Sequence, residues 1–338
     1  MHYYVTGHTG FKGAWLTQML RERGHFVSGQ SLEPLPGSLF ENAKLSSLLE
    51  HDFRIDIRDS EATAKAMAIA QPDVVIHLAA QPLVRASYQN PEETFSTNVM
   101  GTMNVLAAVG DCPSVQAHLV ITTDKVYRNV NKKVGYKEDD PLGGSDPYSA
   151  SKAMADLLTQ SWISSFPSCP TAIARAGNVI GGGDVSPDRL LPDLLNAFQR
   201  NEPAQIRYPH AVRPWQHVLD CLNGYLVLTE SLLEGRGQDA WNFGPSDAHA
   251  HPVSVVADLS AQLWGNGAHW TTDLQEQPHE ASLLLLDSAK ARSALNWHDK
   301  LNFHNAVAWT VAWEKKAASG SSALDLCQQQ LREFAALN

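Results

Sequence analysis

Short apolar runs alternate with amphipathic stretches through the first half of the chain. The predicted strands are residues 3–5, 25–28, 53–57, 74–78, 119–122 and 172–176. The predicted helices between them lie near residues 11–23, 60–70, 92–109 and 148–166. Because strands that alternate with helices are typical of βαβ units, we expect a parallel sheet with helices on both faces.

The helix predicted near residues 11–23 shows the amphipathic pattern clearly. Its apolar positions share one face, while Lys12, Gln18 and Glu22 belong to the polar face. Gly24 follows as a plausible stop signal. This helix is therefore expected to pack one side against the sheet.

The regular alternation ends after about residue 180. Three glycines at 181–183 and five prolines up to residue 214 interrupt it. Helices are predicted again near residues 219–233, 254–263, 288–294, 301–316 and 322–335. We expect a nucleotide-binding part over 1–180 and a smaller, loop-rich lobe over 181–338, with the chain crossing between them.

Composition narrows the class of protein. Of 338 residues, 43% are hydrophobic and 18% are charged, which excludes a disordered chain. The net charge of -10 argues against nucleic-acid and anionic-membrane partners. No signal-peptide pattern or membrane-spanning run is present, so a cytoplasmic protein is expected.

Cysteines and histidines give no metal signal. The four cysteines are widely separated and form no CxxC pair, so we expect neither a zinc site nor a disulfide framework. His249 and His251 are isolated from other ligand types and are expected in a surface loop. A reducing compartment fits this pattern.

A glycine-rich segment, TGHTGFKG at 6–13, follows the first predicted strand and opens the first helix. Glycines permit a tight turn, and the helix N-terminus can bind a pyrophosphate. The string alone also fits a plain strand-to-helix turn, but its βαβ context favours a dinucleotide site. The candidate cofactor residues here are Gly7, Thr9, Gly10, Phe11 and Gly13.

Acidic residues after the next two strands bear on cofactor choice. Glu33 stands where a carboxylate can bind both ribose hydroxyls and repel a 2′-phosphate. Because no arginine or lysine lies between Gly24 and Lys44, the sequence favours NAD over NADP. Glu33 also fits a solvated loop acid. Asp56 and Ile57 are candidates to cover the adenine, or form the end of a strand.

Tyr148 and Lys152 are four residues apart in DPYSASKA, where Asp146 is a candidate N-cap. This spacing places both side chains on one helix face. An ammonium near a phenol favours phenolate and lowers its pKa, so the pair could remove a proton from an alcohol. The alternative is an exposed tyrosine and lysine.

Thr123, Asp124 and Lys125 follow an apolar strand. Enzymes with open α/β sheets place catalytic groups at the carboxyl ends of strands. These side chains supply a hydrogen-bond donor, an acid and a base. A polar strand end with a surface ion pair is the alternative.

Six segments spread over nearly the whole chain carry a family resemblance. They are TGHTGFKG (6–13), HLAAQPLVR (77–85), TTDKVY (122–127), DPYSASKA (146–153), RAGNVIGGGD (175–184) and RPWQHVLD (213–220). Together they resemble the extended short-chain dehydrogenase/reductases, and within them the CDP-glucose 4,6-dehydratases. The glycine motif and YxxxK mark only the superfamily; the other segments are more specific.

The resemblance implies a Rossmann-type doubly wound parallel sheet with a smaller α/β lobe, and NAD as cofactor. It adds cofactor contacts at Leu78, Ala79, Ala80, Tyr148 and Lys152. It also implies oxidation at C4 of the glucosyl unit of CDP-glucose, loss of water from C5 and C6, and reduction at C6, which gives CDP-4-keto-6-deoxyglucose.

The resemblance also assigns roles to the catalytic candidates. Tyr148 would take the O4 proton while Thr123 hydrogen-bonds O4, and Lys152 would hold the nicotinamide ribose. Asp124 would be the acid at O6. The dTDP-glucose dehydratases carry Glu where this chain has Lys125. Whether Lys125 is the C5 base or stabilises the enolate is left open.

Substrate contacts are implied for Asn178, Arg189 and Arg213, with Arg85 a weaker candidate and Arg207 expected at the surface. The segment 241–244 fits either the substrate lobe or a packing role. A homodimer or higher homo-oligomer could form through the apolar helix face that carries Met154, Leu157, Leu158 and Trp162, unless that face is core.

Two other functions compete with dehydration. A nucleotide-sugar 4-epimerase or 4-reductase needs Tyr148 and Lys152 but not the Asp124–Lys125 pair. A non-catalytic NAD-sensing regulator would typically lack the tyrosine or the lysine, and both are present.

Overall fold

A seven-stranded parallel sheet forms the centre of the computed structural model, which describes residues 1–166, 168–245, 250–273 and 283–337. The strands are β1 His2–Thr6, β2 Phe26–Ser31, β3 His51–Arg54, β4 Val74–His77, β5 Ala117–Ile121, β6 Thr171–Ala176, β7 Asn178–Ile180, β8 Ala204–Ile206, β9 Val212–His217, β10 Ala240–Phe243, β11 Ala250–Pro252 and β12 Trp270–Thr272. The central sheet has the order β10-β6-β5-β4-β1-β2-β3. The order reverses between β1 and β4, where a ligand crevice is expected.

Helices cover both faces of this sheet, as predicted. They are α1 Phe11–Glu22, α2 Leu39–Asn42, α3 Ser60–Ala70, α4 Val84–Gln89, α5 Pro91–Phe95, α6 Thr102–Gly110, α7 Pro147–Ser165, α8 Leu190–Gln199, α9 Val218–Leu233, α10 Val253–Trp264, α11 Ala289–Leu295, α12 Phe303–Ala318 and α13 Ala323–Ala335. One core lies between the sheet and α1, α9 and α13, and a second between the sheet and α3 and α6.

All six predicted strands are present, but β3 begins and ends earlier than expected. It spans His51–Arg54, because its register on β2 pairs Ser28 with His51 and Ser31 with Arg54. Asp56 and Ile57 consequently lie in the turn after the strand.

The amphipathic interpretation of α1 is wrong for two of its three polar positions, because only Glu22 is exposed. Gln18 is buried, because α9 and α13 pack on the face that the sheet leaves uncovered. Its side-chain amide donates to the carbonyl of Ala14 within the same helix. Lys12 also points inward, and its ammonium donates to the Tyr225 hydroxyl.

Two prolines interrupt the second half less than expected. Pro192 is the third residue of α8, where a helix N–H has no intrahelical partner, so the ring is tolerated. Pro214 lies within β9, which pairs with β7 and β11 in a small second sheet. Strands β8 and β12 form a further parallel pair.

The chain crosses back to the central sheet after residue 180. Strand β10 pairs in parallel with β6 at its edge, and Trp241 is buried there with its indole N–H bonded to the Gly237 carbonyl. The segment 241–244 therefore packs the sheet and does not line the substrate lobe. The boundary at residue 180 stays a prediction.

A separate apolar core fills the smaller lobe. It lies among α8, α10 and α12, with Trp215 of β9 beneath them. His251 lies in β11, in contrast to the expected loop, and its ring packs at a tilt against the ring of Phe303 in α12. His249 falls outside the described residues. The four cysteines are free and buried. Among the described residues, no helix combines the length and apolarity needed to cross a bilayer.

Candidate active site

One cavity of about 720 Å³ opens at the carboxyl ends of the central strands. Every site residue predicted from the sequence lines this cavity. Those residues are Gly7, Thr9, Gly10, Phe11, Gly13, Glu33, Asp56, Ile57, Leu78, Ala79, Ala80, Arg85, Thr123, Asp124, Lys125, Tyr148, Lys152, Asn178, Arg189 and Arg213. Sequence segments from both halves therefore meet at one place.

The glycine turn packs too tightly for side chains. Gly7 has φ +76°, and a Cβ there would lie 2.8 Å from the amide nitrogen of Ala79. A Cβ on Gly13 would lie 2.2 Å from the carbonyl oxygen of Gly7. Glycine is required at both positions. Gly7 has a left-handed backbone conformation, and at both positions the neighbouring backbone leaves no room for a Cβ.

The turn leads into an uncapped helix N-terminus. Gly10 is the N-cap of α1, and no side chain satisfies the first-turn N–H groups. Such a terminus is a ready anion site, because its N–H groups and its dipole both favour negative charge. The residues present thus fit the pyrophosphate of a dinucleotide.

Glu33 follows β2 with its side chain 79% exposed at the cavity rim. The sequence predicted that no cationic side chain lies near Glu33, and the structure contradicts this prediction. Arg54 of the neighbouring β3 places its Nε 3.9 Å from the Glu33 carboxylate. Its guanidinium also donates to Asp52 at 2.8 Å. Arg54 is distant from Glu33 along the chain and comes near it through the pairing of β2 with β3, which the spacing of residues in the sequence does not reveal.

Asp56 and the segment after β4 complete this end of the cavity. The Asp56 carboxylate accepts from the Arg58 guanidinium at 2.6 Å, and this hydrogen bond holds the Asp56 pKa below its usual value. Ile57 is buried beside them. After β4, the Ala79 amide donates to the Thr6 hydroxyl, which holds residues 78–80 against the glycine turn.

Tyr148 and Lys152 lie at the start of α7, which begins as predicted. Asp146 caps the helix by accepting from the Ser149 amide, and Pro147 occupies its first turn. The Lys152 ammonium donates to the Ile121 carbonyl at 2.7 Å. Burial lowers the pKa of Lys152 to about 8, and the charge of Lys12 adds to the effect.

The sequence predicted a lowered pKa for Tyr148, and this prediction is wrong for the protein chain alone. Burial raises the pKa of Tyr148, and the charge of Arg189 and a hydrogen bond with the Thr123 side chain only oppose this effect. Desolvation disfavours phenolate more strongly than the nearby groups favour it. A further positive charge in the cavity would favour the phenolate.

Asp124 is a buried carboxyl, only 1% exposed. Thr123 donates to its Oδ1 at 3.0 Å, and its Oδ2 has no hydrogen-bond partner among the described residues. Burial raises the pKa of Asp124, although Lys125 and Arg213 oppose this shift. A carboxyl in this state retains its proton more readily than usual and can donate it.

A buried network holds the Thr123–Lys125 turn in place. The Thr122 hydroxyl donates to Asp156 of α7 at 3.0 Å, and Arg175 of β6 donates to both Asp156 oxygens at 2.8 Å. Arg175 also donates to the Tyr127 hydroxyl. The ends of β5, β6 and α7 are thereby fixed relative to each other.

Lys12 is a cavity residue that the sequence reasoning assigned to a polar helix face. Its ammonium lies near enough to shift the pKa values of Asp124 and Lys152 downward. Its position inside the glycine motif was the sequence feature that could have predicted this location. A cation there adds positive charge to the catalytic end of the cavity.

The predicted substrate residues lie beyond the catalytic turn. Arg213 of β9 is buried and lies near enough to Asp124 to lower its pKa. The Arg189 guanidinium donates to the Pro82 carbonyl, and Asn178 begins β7. Arg207, expected at the surface, lines the cavity with a side chain that is 24% exposed.

Comparisons with known proteins agree with this geometry. The sequence model of the NAD dependent epimerase/dehydratase family matches residues 3–244. A CDP-glucose 4,6-dehydratase of Salmonella typhimurium is 43% identical, over 98% of this chain and 95% of the relative.

Solved structures share the fold. A dTDP-glucose 4,6-dehydratase from Streptomyces venezuelae superposes with a TM-score of 0.83 at 22% identity, over 96% of this chain and all of that one. A UDP-glucose 4-epimerase from Thermotoga maritima gives 0.82 at 22% identity, over 94% and 99% of the two chains.

Proposed function

The chain belongs to the NAD dependent epimerase/dehydratase family, and we propose that it is a 4,6-dehydratase acting on CDP-glucose. The observation that carries the proposal is Asp124, a buried carboxyl with a raised pKa beside the Tyr148–Lys152 pair. Water elimination needs an acid at the leaving oxygen, whereas epimerisation and 4-reduction do not. The name of the 43% identical relative supports CDP-glucose as the substrate.

The glycine turn and the strand ends hold the cofactor. The α1 N-terminus would hold the pyrophosphate, Glu33 the adenosine ribose, and Lys152 the nicotinamide ribose. Asp56 and Ile57 line the same cavity and would cover the adenine, and Leu78–Ala80 would contact the cofactor as well. NAD held by these residues would supply the hydride acceptor for C4 of the sugar and the hydride donor for C6, together with the positive charge of its oxidised nicotinamide.

Tyr148 acts first, as the base at the sugar O4. Burial raises its pKa, and positive charge brought near Tyr148 when the site is filled would lower the pKa again. Thr123 hydrogen-bonds the same oxygen and orients it. The side chains of Tyr148, Thr123 and Asp124 are themselves buried.

Asp124 and Lys125 act on the oxidised sugar. The 4-keto group acidifies the C5 proton, and Lys125 either takes that proton or stabilises the resulting enolate. Asp124 donates its proton to O6 as water leaves. Its raised pKa suits this role, because the acid must be protonated at working pH.

Four residues are proposed to bind the rest of the substrate. Arg85, Asn178, Arg189 and Arg213 line the part of the cavity beyond the catalytic turn. Guanidinium groups suit diphosphate oxygens, because their paired N–H donors match the oxygen spacing.

The proposed function is tested with a panel of nucleoside diphosphate glucoses and identification of the product by NMR. CDP-4-keto-6-deoxyglucose is the expected product, with solvent hydrogen incorporated at C5. A product that keeps the C6 hydroxyl, epimerised at C4, would refute dehydration.

We also propose that two copies associate through α7. Met154 and Leu157 are 47% and 52% exposed, so this face is not core. Met100, in the helical segment Ser96–Gly101 between α5 and α6, is 48% exposed. Sedimentation of the Leu157→Glu variant should shift from dimer to monomer. A wild-type protein that sediments as a monomer would refute this assembly.

A further inference from the structure

Two arginines and one aspartate form an ionic bridge at the mouth of the cavity. Arg85 of α4 donates to Asp188 Oδ1 at 2.9 Å, and Arg207, just after β8, donates to the same oxygen at 2.8 Å. Arg85 belongs to the first half of the chain and Arg207 to the second. One carboxylate therefore joins both sides of the cleft.

The backbone directs Asp188 toward this position. Asp188 has φ +59°, a left-handed conformation that aspartate tolerates better than most residues. The Arg207 guanidinium also donates to the Asp188 carbonyl at 3.3 Å. Asp188 thus presents two oxygens to one guanidinium, as a phosphate group would.

We propose that Arg85 and Arg207 form an anion subsite for the substrate diphosphate, in which the Asp188 carboxylate occupies the place of a phosphate until the substrate displaces it. The inference rests on the proposed function, because it names a further binding group of that site. It also assigns to Asp188 a role in setting affinity.

The exposure of the bridge makes such an exchange feasible. The side chains of Arg85, Asp188 and Arg207 are 45%, 34% and 24% exposed. Ion pairs this exposed contribute little to stability, so a ligand with more negative charge can replace the carboxylate. All three residues line the cavity.

A neighbouring carboxyl reports the same charge arrangement. Burial raises the pKa of Asp193 to about 6, the charges of Arg207 and Arg85 oppose this shift, and those of Asp188 and Asp184 add to it. The charges of Asp188 and of both arginines therefore act on a third acidic side chain that lines the same cavity.

The Asp188→Asn variant tests the exchange, because asparagine keeps the left-handed backbone and an acceptor oxygen but removes the charge. Calorimetry should show CDP binding about three- to tenfold tighter than in the wild type, with cytidine binding unchanged. The gain should shrink in high salt. Glu202→Gln, which removes an exposed carboxylate paired with Arg200 outside the cavity, is the charge control.

A second variant ties the gain to the arginine. Arg207→Met should weaken CDP binding and should abolish the benefit of Asp188→Asn in the double variant. A gain that persists without Arg207, or CDP and pyrophosphate affinities that do not rise in Asp188→Asn, would overturn the proposal.

Inorganic pyrophosphate separates this inference from the proposed substrate. Asp188→Asn should bind pyrophosphate more tightly than the wild type whichever nucleoside the enzyme prefers. If the wild type binds neither cytidine nor CDP and the pyrophosphate gain remains, the nucleotide assignment fails and the anion subsite stands.

Discussion

Replacing Asp124 with asparagine should separate oxidation at C4 from water loss. Asparagine has nearly the same shape, and its Oδ1 can still accept the 3.0 Å bond from Thr123. Only the proton at the other oxygen is lost, so the variant should fold and should bind cofactor and substrate. The elimination step alone loses its acid.

The structure sets the size of the effect. General acids contribute about 10²–10⁴-fold to rate, and a buried carboxyl with a raised pKa and an unpartnered oxygen is well placed to supply that contribution. Turnover of Asp124→Asn should therefore fall by about this factor. The C4 oxidation should remain within about tenfold of the wild type, because Tyr148 is unchanged.

The pH dependence follows from the raised pKa of Asp124. The wild-type acid is active when protonated, so its rate of elimination should fall as the pH rises through that pKa, and Asp124→Asn should lack this limb. The free energy of unfolding also depends on the protonation of Asp124. A carboxyl whose folded pKa exceeds its unfolded value stabilises the protein at low pH and costs stability once it ionises. The variant should therefore melt higher than the wild type at neutral pH.

Stopped-flow absorbance at the NADH band measures the two steps separately. In a single turnover, the reduced cofactor should accumulate in Asp124→Asn and remain transient in the wild type. Asp140→Asn, which removes a carboxylate from an ion pair with Lys132, is the matched control and should behave as the wild type. Wild-type turnover by Asp124→Asn, with no accumulation, would refute the acid role.

Three further variants test the remaining assignments. Tyr148→Phe should abolish formation of the reduced cofactor, seen at its absorbance band, while calorimetry shows substrate binding nearly unchanged. Lys125→Met should slow elimination by about 10²–10⁴-fold, and loss of C5 exchange in deuterium oxide would identify Lys125 as the base, whereas retained exchange would indicate the enolate-stabilising role. Cofactor extracted from the wild type should be NAD. In Glu33→Ser the ratio of NADP to NAD affinity should rise about tenfold or more, because the variant removes the Glu33 carboxylate that would repel a 2′-phosphate beside Arg54; an unchanged ratio would remove Glu33 from cofactor selection.

The sequence alone was sufficient for features that depend on local spacing. The glycine turn is fixed by positions where no Cβ fits, and the start of α7 is fixed by Asp146 and Pro147. The alternation of strands and helices predicted the parallel sheet, because each element buries a face that its own residues define. Placing Thr123–Lys125 at a strand end followed from the same pattern.

Electrostatics of the site depended on burial, which the sequence does not state. The i, i+4 spacing suggested a lowered Tyr148 pKa, but Lys152 donates to the Ile121 carbonyl and burial raises the Tyr148 pKa. Desolvation depends on everything packed around a group, so residue spacing cannot give its size.

Contacts between distant segments were decided by the tertiary structure. Arg54 reaches Glu33 through the register of two neighbouring strands, and Arg85, Asp188 and Arg207 meet only because the two halves face one cleft. Strand β10 joins the central sheet from the second half of the chain. Local patterns specify which face of an element is buried, but the partner that buries it is chosen by packing over the whole chain.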